Sequence, residues 1–182
     1  PGLMLEGVCA AARLPPLLPD EVRRRLDEKK FTSKADVDVV DGLYRAFFDG
    51  AADSATQLNF SGLDWGEAEV RQLKEVLPRF TRLKALDLSE NELGPAGASA
   101  IASLLKTIQI SSLKLGNNSI NWCYDDYDEF VAITEGFIAL CEGLKGSSVT
   151  SLDIESNRIG VEGVSALAAV LKDTQITNLN IE

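Results

Sequence analysis

From about residue 55 onward, two hydrophobic rhythms alternate along the chain. Leu86 and Leu88 flank Asp87, Leu113 and Leu115 flank Lys114, and Leu152 and Ile154 flank Asp153. A period of two over so few residues predicts a short strand with one face buried. Apolar residues three and four apart follow each polar turn, as in Ala98, Ile101, Ala102 and Leu105. That spacing predicts a helix with one buried stripe. Strands are expected near 57–60, 85–88, 112–115, 151–154 and 178–181. Small residues such as Gly97, Ala98, Gly163 and Ala168 are expected to let the helices approach the sheet.

The two rhythms make one repeat. Residues 83–93, 110–120 and 149–159 share the pattern L-x-x-L-x-L-x-x-N-x-L, with Ile or Val at some leucine positions. A degenerate copy upstream has Leu58, Phe60 and Trp65, with Leu63 where the asparagine belongs. A last, incomplete copy holds Ile176, Leu179 and Ile181. Equivalent leucines at 58, 86, 113, 152 and 179 are separated by 28, 27, 39 and 27 residues. The helical segments 94–105 and 160–171 share a G-x-x-G start and a run of small residues. Strand motif, period and helix together resemble leucine-rich repeat proteins of the ribonuclease-inhibitor-like class, over residues 55–182. The resemblance implies an α/β curved solenoid with parallel strands on the concave face and helices on the convex face. It also implies binding of other proteins along the sheet or its loops. Physics points the same way: paired strands sit about 4.8 Å apart, packed helices about 8–10 Å. Asn91, Asn118 and Asn157 recur at one buried turn, where an amide can hydrogen-bond the loop backbone of adjacent repeats.

A solenoid must cover its terminal apolar faces. Residues 1–19 read as an irregular segment, 20–54 as a helical N-terminal cap and 55–182 as the repeats. Pro19-Asp20-Glu21 opens a helix reaching about Lys30, and Ser33-x-x-Asp36 resembles a capping box for a second. Val37, Val40, Tyr44 and Phe47 are spaced for its buried stripe, with Phe48 beside it. The run Arg23-Arg24-Arg25 is balanced by Asp20, Glu21, Asp27 and Glu28, which reads as a solvated helix face. At the other end neither a helix nor a polar closing repeat follows Glu182, so further chain or a partner is expected to cover that face.

The third interval is 12 residues longer than the second, which places an insertion at about 121–132. It carries Trp122, Tyr124, Asp125, Asp126 and Tyr127, and is expected to run into a helix striped by Phe130, Ile133, Phe137, Leu140 and Leu144. Trp and Tyr are enriched in binding hot spots, and insertions in repeat proteins map to loops that often bind. The same rings can instead pack on the following helix, and the sequence leaves both readings open. The outward strand positions supply a second candidate surface: Asp87, Lys114, Asp153 and Glu155, beside Asn59, Asn180, Ser61, Ser89, Gly116 and Glu182.

Composition narrows the chemistry. Among 182 residues there is no histidine, which excludes histidine-based catalysis, histidine metal ligands and a histidine pH switch. Eighteen basic and 28 acidic residues give a net charge of −10, the wrong sign for a phosphate backbone or an anionic membrane surface. No apolar run reaches the roughly 20 residues needed to span a bilayer. Cys9, Cys123 and Cys141 form no C-x-x-C pair, and three is an odd number, so reduced thiols are expected rather than a disulfide framework or zinc site. No metal or cofactor is expected. Cysteine usage points to an intracellular, by default cytoplasmic, protein, with an organelle interior as the alternative if an upstream targeting segment has been removed. The sequence reads as a non-enzymatic protein–protein interaction module or scaffold, a subunit or adaptor of a larger assembly, for which the acidic surface favours a basic partner. The alternative is a regulator of an enzyme, such as a GTPase-activating or inhibitory leucine-rich-repeat protein.

Overall fold

The computed structural model describes residues 14–31, 33–124 and 130–182. Two helices lead: α1 (Pro19–Asp27) and α2 (Lys34–Ser54). Strands and helices then alternate as β1 (Gln57–Asn59), α3 (Glu67–Val76), β2 (Ala85–Asp87), α4 (Gly94–Leu104) and β3 (Ser112–Lys114). A hairpin follows, β4 (Trp122–Tyr124) and β5 (Phe130–Ala132), then α5 (Glu135–Leu144), β6 (Ser151–Asp153), α6 (Gly160–Leu171) and β7 (Asn178–Asn180).

Strands β1, β2, β3, β6 and β7 make one parallel sheet in that order, as the leucine alternation requires. Leu58, Leu86, Leu113, Leu152 and Leu179 are register partners in one row. The four internal or leading leucines, 58, 86, 113 and 152, are buried, and Leu179 in the last strand is partly buried. Leu73, Ile101, Leu140 and Leu167 close the core from α3 to α6.

The buried asparagines bind the loops together. Asn118 Nδ2 donates to the carbonyls of Leu88, Leu115 and Gly116, at 2.8, 3.1 and 3.1 Å. Asn91 and Asn157 donate in the same way to Phe60, Leu88 and Ser89, and to Leu115, Ile154 and Glu155. Asn91 Oδ1 accepts from the N–H groups of Leu63 and Trp65, and Asn157 Oδ1 from those of Asn118 and Ile120. Each amide therefore serves its own loop and the loop before it. In the first copy, where Leu63 stands in place of asparagine, Asn91 reaches back to the Phe60 carbonyl and to the Leu63 and Trp65 N–H groups. The residue before each asparagine, Glu90, Asn117 or Ser156, has a φ near +55°, and Gly62 takes that left-handed position in the first repeat.

Four expectations are corrected. The buried stripe of α2 is Val37, Phe48 and Ala52 with Tyr44 half-buried, while Val40 and Phe47 are exposed. The helix is rotated so that Phe48 meets the Phe80 ring edge-on at 5.8 Å and the Tyr44 hydroxyl reaches Leu17. The first helix ends at Asp27, short of Lys30. Residues 130–132 are a strand, not the start of a helix: Phe130 belongs to β5, Ile133 precedes the helix, and only Phe137, Leu140 and Leu144 of the expected stripe lie on α5. Ala168 is exposed. Its counterpart Ala102 on α4 is covered by α5, whose Gly143 would place an added Cβ 2.7 Å from the Ala102 Cα.

That approach makes glycine obligatory on α5. A Cβ on Gly136 would fall 2.0 Å from the Pro95 carbonyl oxygen, against backbone that cannot rotate away. Gly143→Ala is expected to cost about 1–3 kcal/mol by overpacking, read as a lower midpoint in denaturant with an unchanged slope. Leu113→Ala or Leu152→Ala is expected to cost about 2–5 kcal/mol; a loss below about 1 kcal/mol in the same measurement contradicts burial at these positions.

Candidate functional site

The sheet register sets five polar residues side by side. Asp87 pairs with Lys114, Lys114 with Asp153, and Asn59 and Asn180 complete the row at either end. Lys114 Nζ lies 3.6 Å from an Asp87 carboxylate oxygen, both partly open to solvent, so this pair adds little stability. Asp153 lies on the other side of Lys114 in the row. Glu155, two residues along, lies exposed over Gly116 and accepts a 2.7 Å hydrogen bond from Asn180 Nδ2. Gly116, expected in the outward column, is therefore buried beneath this side chain.

The acids also shape the backbone. Asp87 Oδ1 accepts from Ser89 N–H at 3.0 Å, Asp153 Oδ1 from Glu155 N–H at 3.2 Å, and Asn59 Oδ1 from Ser61 N–H at 2.8 Å. Each turns the chain out of its strand by the local side-chain-to-backbone bond that Asp and Asn favour. A carboxylate and an amide do this equally well here, so the negative charge of Asp87 and Asp153 is not needed for the turn.

The hairpin rises from the strand-to-helix connection after β3, at the same edge of the sheet as these turns. Trp122 pairs with Ala132, Cys123 with Val131 and Tyr124 with Phe130. Its base is tied to the next repeat at three points. Buried Asn121 donates from Nδ2 to the Ile159 carbonyl at 2.8 Å. The Arg158 guanidinium lies over the Trp122 ring, 4.8 Å from its centroid, a cation–π contact. Thr134 Oγ1 donates to Glu162 at 3.2 Å. Asn121, Thr134, Arg158 and Glu162 were not singled out in the sequence; they stand 28 to 38 residues apart in the chain, and no local spacing announces the contacts. Asp125, Asp126 and Tyr127 lie outside the described residues, and Tyr124 is placed as the last residue of β4.

Among the described residues, no group of three or more His, Cys, Asp or Glu could hold a metal ion, and no helix is long and apolar enough to cross a membrane. Cys141 is buried on α5, and burial pushes its thiol up to about 12, so it stays protonated at neutral pH. Cys123 is half-buried and free. The arginine run of α1 is spent on ion pairs: Arg24 and Arg25 hold the Glu21 carboxyl down to about 2, and Arg23 bonds Asp38 of α2 at 2.6 Å.

A family profile described as "Leucine Rich repeat" matches residues 81–102 and 147–168, two stretches that each run from the strand motif into the following helix. A solved chain titled "Leiomodin-1 Actin-Binding Site 2 (ABS2)" is similar with a TM-score of 0.59 and 20% sequence identity, over 92% of this chain and 80% of that one. The tropomodulin C-terminal domain from Caenorhabditis elegans is similar with a TM-score of 0.51 and 14% identity, over 85% of this chain and 92% of that one. At these identities the likeness is one of fold. No curated protein matches at a significant level. Parallel register, asparagine-bonded loops and the two matched stretches show leucine-rich repeats in this chain, and the likeness of fold to the two solved domains is consistent with the ribonuclease-inhibitor-like type.

Proposed function

We propose that the protein is a non-enzymatic interaction module, a subunit or adaptor of a larger assembly, that binds a basic protein segment along the outer face of its sheet. The observation that carries this reading is the row Asp87–Lys114–Asp153 with Glu155 beside it. Its single lysine is engaged by Asp87, which leaves an acidic strip. Such charges steer encounter and select partners more than they add affinity. In this reading the hairpin that follows β3 adds an aromatic contact through the Trp122 ring.

In this reading the sheet lines the concave side of a curved solenoid, since strands pack more closely than helices. Helices α1 and α2 cap its first repeat, an assignment supported by Phe48 and Ala52 buried within the core. An inert buried Cys141 and a free Cys123 fit an intracellular, reducing setting.

The test uses partners captured by cross-linking mass spectrometry, with actin as one defined candidate because the leiomodin segment's title names it. Cross-links from Lys114 are expected, and cross-links confined to helix-side Lys106, Lys145 and Lys172 would place the site on the other face. Asp87→Asn, Asp153→Asn and Glu155→Gln together should keep the turns, as Asn59 does in its own. The triple variant is expected to melt with the wild type, lose about tenfold or more in affinity, and bind with a shallower salt dependence. Trp122→Ala is expected to weaken binding further. If it lowers only the melting temperature, the ring serves the Arg158 contact alone.

A further inference from the structure

Ahead of α1 the chain reads Leu14-Pro15-Pro16-Leu17-Leu18, and these residues form neither helix nor strand. The proline rings set φ at about −65°, and a residue that precedes proline is pushed towards extended backbone. Leu18, before Pro19, has φ −63° and ψ 144°, the left-handed extended conformation of polyproline. That conformation turns once in three residues, which puts Pro15 and Leu18 on one side. Pro15 is buried and Leu18 packs against the core.

Two side chains hold this segment, and they hold it by its backbone. Gln72 Nε2 on α3 donates to the carbonyls of Pro15 and Pro16, at 2.8 and 3.1 Å. The Tyr44 hydroxyl on α2 accepts from the Leu17 N–H at 3.1 Å and donates to the Leu17 carbonyl at 2.7 Å. Its ring stacks on Phe48, 6.2 Å between centroids, which fixes its position. Proline-rich segments are recognised by aromatic-lined grooves that take up their preformed extended helix.

We propose that Tyr44 and Gln72 form a recognition site for extended Pro-Pro-x-Leu segments of other proteins, which residues 15–18 fill in the resting chain. All four of these hydrogen bonds go to backbone groups, so another chain with a proline pair in the same conformation can make them. Neither residue belongs to the acidic row, so this is a second surface with its own partner chemistry. The resident segment is lightly fastened. Pro19 is the one buried residue of α1, and α1 meets α2 through exposed ion pairs, Arg23 with Asp38 and Arg45 with Asp20. Exposed pairs add little and are screened by salt, so the segment and α1 open more readily than the repeats. A tethered competitor acts at an effective concentration of about 1 mM. The closed chain therefore takes up a free peptide weakly, and loosening the segment reveals the full affinity.

The probe is a fluorescein-labelled synthetic peptide of residues 14–19, titrated against the full chain by fluorescence anisotropy up to about 1 mM. Two variants release the segment: Pro15→Gly with Pro16→Gly, and Arg23→Ala with Arg45→Ala, which touches only exposed side chains. Both are expected to melt with the wild type and to bind the peptide at least about tenfold more tightly than it does. In the first background, Tyr44→Phe with Gln72→Ala keeps the ring on Phe48 and is expected to lose that gain. A peptide with alanine at its three prolines is expected not to bind. Release variants that stay folded and take up no peptide, binding that survives loss of the Tyr44 hydroxyl and the Gln72 amide, or equal binding of the alanine peptide overturns the proposal. A release variant that unfolds overturns it too, because the segment is then part of the fold and not an occupant. Sedimentation of the wild type as a dimer that Pro15→Gly with Pro16→Gly abolishes would give the site to a second copy and overturn the assignment to other proteins.

Discussion

Three buried carboxamides hold successive repeats at a fixed separation. Asn91, Asn118 and Asn157 each donate to loop carbonyls of their own repeat and of the one before. A buried peptide group without a partner costs about 1–3 kcal/mol, and these loops are too tightly turned to satisfy themselves. The amide must therefore return to the same place relative to its neighbour in every repeat. That requirement aligns the strands, and the aligned strands put Leu58, Leu86, Leu113, Leu152 and Leu179 in one row. The period of the sequence is the chemical trace of this bonding distance. Asn118 is the weakest rung, because its Oδ1 is buried with no donor among the described residues.

The insertion keeps to the same constraint. It follows the asparagine turn of its repeat, so Asn157 still reaches Leu115 and the Asn118 backbone across the longer connection. The extra residues leave as a hairpin and return to Glu135 in time for α5 to join the helix layer. α5 then packs against α4 so closely that Gly136 and Gly143 meet α4 backbone. Asn121, Trp122 and Thr134 tie the hairpin to the following repeat, which turns an added loop into a bridge between two units.

Structure and recognition share residues in the acidic row. Asp87 and Asp153 bend the chain out of their strands through one oxygen each, as the uncharged Asn59 does. The bend accounts for a short polar residue at that position. It does not account for a carboxylate, and the charge is what the row can use towards a partner. Helix α2 is two-sided as well: Phe48 and Ala52 complete the core, and Val39, Leu43 and Phe47 lie outside it.

The repeat, its parallel sheet, the strand positions to within a residue and the absence of histidine chemistry are all legible in the amino-acid order. They follow from local periodicity and from residue types, which tertiary packing does not alter. The asparagine positions were legible for the same reason, because they recur at one place in each repeat. Tertiary structure alone decided three things. It chose which side of α2 is buried, because Val37-Val40-Tyr44-Phe47 and Val37-Tyr44-Phe48-Ala52 are both helical stripes, and contacts distant in sequence, Phe48 with Phe80 and Tyr44 with Leu17, go with the second. It made residues 130–132 a strand, since three residues that pair with Trp122–Tyr124 show no period of their own and Phe130, Ile133 and Phe137 mimic a helical one. And it brought Arg158 over Trp122, a contact between residues in different repeats that exists only once the repeats are stacked.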